Sequence, residues 1–121
     1  MYTITVESSF KASHQLTYAG GKTEENHAHD WQLKVAAQIE ELDENGLAVD
    51  FIYLKSRIDE ITEMLDNTQL EELTCFEGIN VTAENIARYF YDRLESQMPT
   101  KAMLLSVEIM EAPGCWAKYN K

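Results

Sequence analysis

His27-Ala28-His29-Asp30-Trp31-Gln32-Leu33-Lys34-Val35-Ala36-Ala37-Gln38-Ile39 is the stretch whose reading decides the fold. Its odd positions are His27, His29, Trp31, Leu33, Val35, Ala37 and Ile39, and its even positions include Asp30, Gln32, Lys34 and Gln38. Alternation of this kind marks a β-strand with one face turned to a core. The pattern predicts a strand from His27 to about Leu42. Both histidines head its apolar face, because a two-residue spacing sets side chains on the same side of a strand.

Upstream, residues 2–14 alternate in the same way. Tyr2, Ile4, Val6, Phe10 and Ala12 share one face, and Thr3, Thr5, Glu7, Ser9 and Lys11 share the other. His14 has the parity of the apolar face. The three histidines of the chain therefore all extend apolar strand faces, one at the end of the first strand and two at the start of the next. Antiparallel pairing of consecutive strands brings those ends together. Three convergent imidazoles with one coordination position left over suit a catalytic zinc ion. The expected cofactor is thus Zn2+, held by His14, His27 and His29. Residues 15–26, with Gly20-Gly21 in the middle, read as a polar, flexible connection.

Downstream, Asp43-Glu44-Asn45-Gly46 is a turn signal. Asp50 is the predicted cap of a helix over residues 51–65, with Phe51, Leu54, Ile58, Ile61 and Leu65 on one stripe. Thr82 is the predicted cap of a second helix, whose stripe is Ile86, Tyr89, Phe90 and Leu94 and which Pro99 forbids from continuing. Residues 102–111 alternate again, with Met103, Leu105, Val107 and Ile109 on the inner face and Glu111 at the end. Pro113-Gly114 turns the chain into a short last strand, Trp116-Ala117-Lys118-Tyr119. The order ββααββ predicts one α+β domain over residues 1–121, a four-stranded antiparallel sheet with two helices on one face. Two open sheet edges invite pairing between subunits, so a homo-oligomer is expected.

Bulk properties narrow the function. A chain of 121 residues can bury a core without disulfides. Its two cysteines, Cys75 and Cys115, form no metal or redox pattern and fit a reducing cytoplasm. The first residues read as a strand and not as a signal peptide. No stretch approaches about 18 uninterrupted apolar residues, so no membrane span is expected. A formal net charge of −11 argues against nucleic acid and anionic membranes as partners.

Six short motifs then fall in register. Phe10-x-Ala12-x-His14, His27-Ala28-His29, Gly46-Leu47-Ala48-Val49-Asp50-Phe51-x-x-Leu54-Lys55, Leu65-Asp66-Asn67-x-x-Leu70, Thr82-Ala83-Glu84-Asn85 and Glu111 together resemble the 6-pyruvoyltetrahydropterin and 6-carboxytetrahydropterin synthase family. The resemblance runs across nearly the whole chain. It implies a tunnelling fold, usually assembled as a hexamer with active sites between subunits, and a small-molecule pterin substrate. It implies zinc on His14, His27 and His29, a pterin ring anchored by Glu111, and a pocket lined in part by Thr82 and Glu84. The implied reaction is zinc-assisted loss of triphosphate from 7,8-dihydroneopterin triphosphate.

The chain also departs from that pattern. Thr23 stands where the family usually has a catalytic cysteine, Ala28 replaces a glycine, and Asn67 replaces the histidine of an Asp-His pair. With all three histidines on zinc, a carboxylate or a thiol must do the acid–base work, with Glu24 as the candidate base and Asp66 as a second candidate. Glu24 resembles the acid of a subgroup that makes 6-hydroxymethyl-7,8-dihydropterin for folate synthesis. A third reading is a non-catalytic homologue that binds zinc and a pterin.

Overall fold

The computed structural model describes residues 1–121. Strand β1, Tyr2–His14, pairs antiparallel with β2, His27–Ile39, in continuous register from Tyr2 opposite Ile39 to His14 opposite His27. β2 ends earlier than predicted, because Glu41 puts a charge at the inward parity where the alternation needs an apolar residue. Beyond it Asp43 Oδ1 accepts the amides of Asn45 and Leu47 to close a turn.

Helix α1, Phe51–Leu65, starts where its cap predicts, with Asp50 Oδ1 accepting the Ile52 amide at 2.9 Å. Helix α2, Ala83–Glu95, is capped by Thr82, whose Oγ1 accepts the Asn85 amide at 3.1 Å. The apolar stripes of both helices cover the inner sheet face. Leu54, Ile58, Ile61, Leu65, Ile86, Phe90 and Leu94 are buried in one core with Val6, Phe10, Trp31, Leu33, Val35, Val107 and Ile109. Burying each large side chain contributes about 1.5–3 kcal/mol. That sum decides which strand face turns inward.

Two stripe residues differ from expectation. Phe51, the first residue of α1, is exposed, and the buried stripe begins at Leu54. Tyr89 is only half-buried, because its hydroxyl accepts from Arg93 Nη1 at 2.7 Å and so has to reach a polar boundary.

The sheet has five strands and is mixed, where four antiparallel strands were expected. Strand β3, Thr68–Gln69, runs parallel to Ala12–Ser13 of β1; β4 is Met103–Ala112 and β5 is Cys115–Tyr119. The order across the sheet is β3-β1-β2-β4-β5. Two residues are too few to show a period, so β3 leaves no signal in the sequence. It forms because Asn67 takes a left-handed conformation, φ 58°, just after α1 and donates its amide to the Lys11 carbonyl at 2.6 Å. Asparagine tolerates that conformation better than most residues.

The predicted inner face of β4 is also corrected at one end. Ala36 pairs with Ser106 but Ala37 pairs with Leu104, so Leu105 is an extra residue in the ladder. The parity switches there. Leu104 is buried while Met103 is exposed, and Val107 and Ile109 keep the predicted inner face.

Candidate functional site

The register that pairs His14 with His27 sets the first two imidazoles side by side, and His29 follows on the same face of β2. Ring centroids lie 4.6 Å apart for His14 and His27, 4.5 Å for His27 and His29, and 5.1 Å for His14 and His29. Trp31 forms the floor. It is fully buried, its Nε1 donates to the Ala12 carbonyl at 3.1 Å, and its ring stands edge-on to both His14 and His29.

The hydrogen bonds fix which nitrogens face inward. His14 Nδ1 lies 2.7 Å from the Val81 carbonyl oxygen, and His27 Nδ1 lies 2.9 Å from the Glu25 carbonyl oxygen. A carbonyl only accepts, so each Nδ1 carries the proton and each neutral ring presents a lone pair at Nε2. Those two Nε2 atoms are 3.0 Å apart. Two facing lone pairs repel unless a positive centre lies between them. His29 Nε2 is buried and has no hydrogen-bond partner, which costs about 1–3 kcal/mol when nothing satisfies it. Burial holds the His29 imidazole below its ordinary pKa, against the pull of the Glu111 carboxylate.

Glu111 joins this group from β4. It shares the inward parity of Val107 and Ile109, and the β4–β5 register slips between Met110 and Ala112, so Glu111 has no partner across the hairpin. Its Oε1 lies 3.1 Å from His14 Nε2 and 3.9 Å from His29 Nε2. One ligand atom from each of His14, His27, His29 and Glu111 lies within 4.8 Å of the others. Tetrahedral zinc with bonds of about 2.0–2.1 Å needs donors roughly 3.3 Å apart. The donor set fits a divalent metal in type, protonation and spacing.

The remaining candidates divide between this cluster and the scaffold. Glu24 is beside it, with Oε1 3.7 Å from His27 Nδ1 and 3.1 Å from the Leu16 amide that it accepts, and Oε2 3.4 Å from the Tyr18 hydroxyl. The connection carrying it was read as flexible. It is a small hairpin, with Thr17 bridged to Thr23 and hydrogen bonds from Tyr18 to Lys22 and from Glu24 to Leu16. Thr82 and the exposed Glu84 follow Val81, the residue whose carbonyl holds His14. Asp66 ends α1, and its Oδ1 accepts the Lys11 amide at 2.8 Å. Sequence reasoning missed Val81, which acts through its backbone and leaves no side-chain signal. It also missed Tyr18, one more polar residue in a polar loop.

The chain is similar to known proteins over nearly its whole length. The family model described as 6-pyruvoyl tetrahydropterin synthase matches residues 3–121. A 6-carboxy-5,6,7,8-tetrahydropterin synthase from Synechocystis is 32% identical, over 98% of this chain and 93% of the relative. A dihydroneopterin monophosphate aldolase from Pyrococcus furiosus is 29% identical, over 89% of this chain and 88% of the relative. The structure of Caenorhabditis elegans 6-pyruvoyl tetrahydropterin synthase superposes with a TM-score of 0.87 at 25% identity, over 99% of this chain and 95% of that one.

Proposed function

The chain belongs to the 6-pyruvoyl tetrahydropterin synthase family, and we propose that it is a zinc-dependent lyase acting on 7,8-dihydroneopterin triphosphate or a related dihydropterin. The observation that carries this reading is the facing pair of Nε2 lone pairs, joined by the unpartnered His29 Nε2 and by Glu111. His14, His27 and His29 would hold the metal. Bound zinc supplies Lewis acidity, which polarises oxygen substituents on the pterin side chain and eases proton removal from the adjacent carbon.

The protein's own groups do the rest. Glu24 is the proposed base, because its carboxylate adjoins the cluster and the neighbouring Thr23 hydroxyl is a poor base near neutral pH. Glu111 adjoins His14 and His29 and is the proposed anchor of the pterin, whose guanidine-like edge suits a bidentate carboxylate. Thr82 and Glu84 are proposed to line the pocket at the start of α2. Asp66 accepts the Lys11 amide, and its proposed role is to pin the end of α1 to the sheet. The working form is proposed to be a homo-oligomer, a hexamer by family resemblance, with β3 and β5 as the open edges. No helix is long and apolar enough to cross a membrane.

A second reading is cleavage of a carbon–carbon bond to give 6-hydroxymethyl-7,8-dihydropterin. It is favoured by Glu24, which replaces the usual thiol as base, and by the similarity to the aldolase. Incubating zinc-loaded protein with dihydroneopterin, its monophosphate and its triphosphate, then identifying products by mass, tests both readings. Loss of triphosphate supports the first, and release of a two-carbon aldehyde with 6-hydroxymethyl-7,8-dihydropterin supports the second. Zinc-loaded protein that binds these pterins but converts none of them overturns both in favour of a non-catalytic binding protein.

A further inference from the structure

Asn80 makes an unusual pair of contacts outside the donor set. Its Oδ1 accepts the Thr17 amide at 2.9 Å, and its Nδ2 donates to the Thr17 carbonyl at 2.9 Å. One side-chain amide thus imitates a strand partner and clips the segment that follows His14 to the segment that precedes α2. Its own carbonyl accepts from Asn85 Nδ2 at 2.8 Å and from the Thr82 amide at 3.0 Å. The next residue along is Val81, whose carbonyl takes the His14 Nδ1 proton.

We infer that Asn80 is a positioning residue for His14: its clamp on Thr17 holds the Val81 carbonyl against Nδ1 and so keeps the Nε2 lone pair aimed at the metal. The inference rests on the proposed metal role of the three histidines and adds a residue to it. A neutral imidazole has two tautomers, and the partner of one nitrogen decides which of them presents a lone pair at the other. The clamp needs a donor and an acceptor on one short side chain, which only asparagine supplies at that length. By chain neighbourhood it also fastens Leu16, the residue just before Thr17, whose amide donates to Glu24. The donor and the candidate base therefore share one anchorage.

The test uses Asn80→Asp, which keeps the shape and replaces the donor with an oxygen facing the Thr17 carbonyl. Asn85→Ala serves as a second variant; it removes the support of the Asn80 carbonyl and leaves a good helix former in α2. Two readouts are taken on the whole chain. Imidazole nitrogen NMR of the metal-free protein, well above the ordinary imidazole pKa, reports the His14 tautomer. Co2+ titration, followed by the ligand-field absorption and by chelator competition, reports the metal.

The wild type is expected to show the Nδ1–H form of His14. Asn80→Asp should show a mixture of tautomers and a Co2+ affinity lower by about 10–100-fold, as supports of metal ligands typically cost. Asn85→Ala should move both readouts in the same direction by less. A folded Asn80→Asp that keeps the wild-type tautomer and affinity overturns the inference, and an unfolded one passes the decision to Asn85→Ala on the same criterion. A wild type that shows the Nδ1–H tautomer and binds no Co2+ overturns the metal reading, while the tautomer comparison still decides whether Asn80 orients the ring.

Discussion

His14 Nε2 and His27 Nε2 face one another across 3.0 Å, with a backbone carbonyl behind each ring. Neither nitrogen carries a proton in the neutral rings, so the pair needs a cation to be at rest. Removing zinc by chelation should therefore lower Tm, and His27→Ala should abolish the shift. A ligand present at one hundred times its Kd contributes about 2.7 kcal/mol to stability. Differential scanning fluorimetry with and without added zinc checks this, and identical melting curves would refute the metal site.

Acid should release the metal and destabilise the metal-free fold through the same residue. The His29 pKa is lowered on folding by burial, so protonation favours the unfolded chain. Its contribution to stability is fully present above the ordinary imidazole value near 6.5 and is lost as pH falls through the depressed folded value. Urea unfolding of the metal-free protein across this window should show stability falling toward acid, and His29→Gln should flatten that slope. A slope unchanged in the variant would exclude His29 as its source.

Glu24→Gln removes a base and keeps the shape. Turnover should fall by about 10²- to 10⁴-fold, the usual contribution of a positioned base, with zinc content unchanged. Single-turnover kinetics on the accepted pterin would decide; an unaltered rate moves the base elsewhere.

Glu111→Ala separates an anchor from a ligand. As an anchor, Glu111 holds the pterin through charge-assisted hydrogen bonds, and its loss should weaken pterin binding by about 1.5–3 kcal/mol while zinc stays bound. Calorimetry with a pterin analogue and metal analysis of the same sample give the answer. Loss of zinc in place of pterin affinity would make Glu111 a fourth ligand.

Asp66→Ala tests the second carboxylate. The bond to the Lys11 amide predicts a stability loss of about 1 kcal/mol and unchanged turnover per folded molecule. A drop in turnover with stability intact would return Asp66 to the chemistry.

Much of this was legible in residue order alone. Parity placed all three histidines on apolar strand faces, and the continuous β1–β2 register then brings their rings together. Asp50 and Thr82 announced both helix starts by the chemistry of their side chains. What escaped was backbone-borne. The Val81 carbonyl, the two-residue strand β3 and the extra residue at Leu105 have no side-chain period to betray them. Asn67 was readable only as a lost histidine, whereas its left-handed backbone gives asparagine a conformational reason to be there.

The insertion at Leu105 ties the two ends of β4 to opposite demands. A strictly alternating strand that tucked Leu104 inward would present Met110 inward and send Glu111 to the far side of the sheet. Shortening the chain by one residue at that point would force a choice between a filled hydrophobic corner and a carboxylate among the imidazoles. The acidity of the site is thus a matter of counting residues along a strand some distance away.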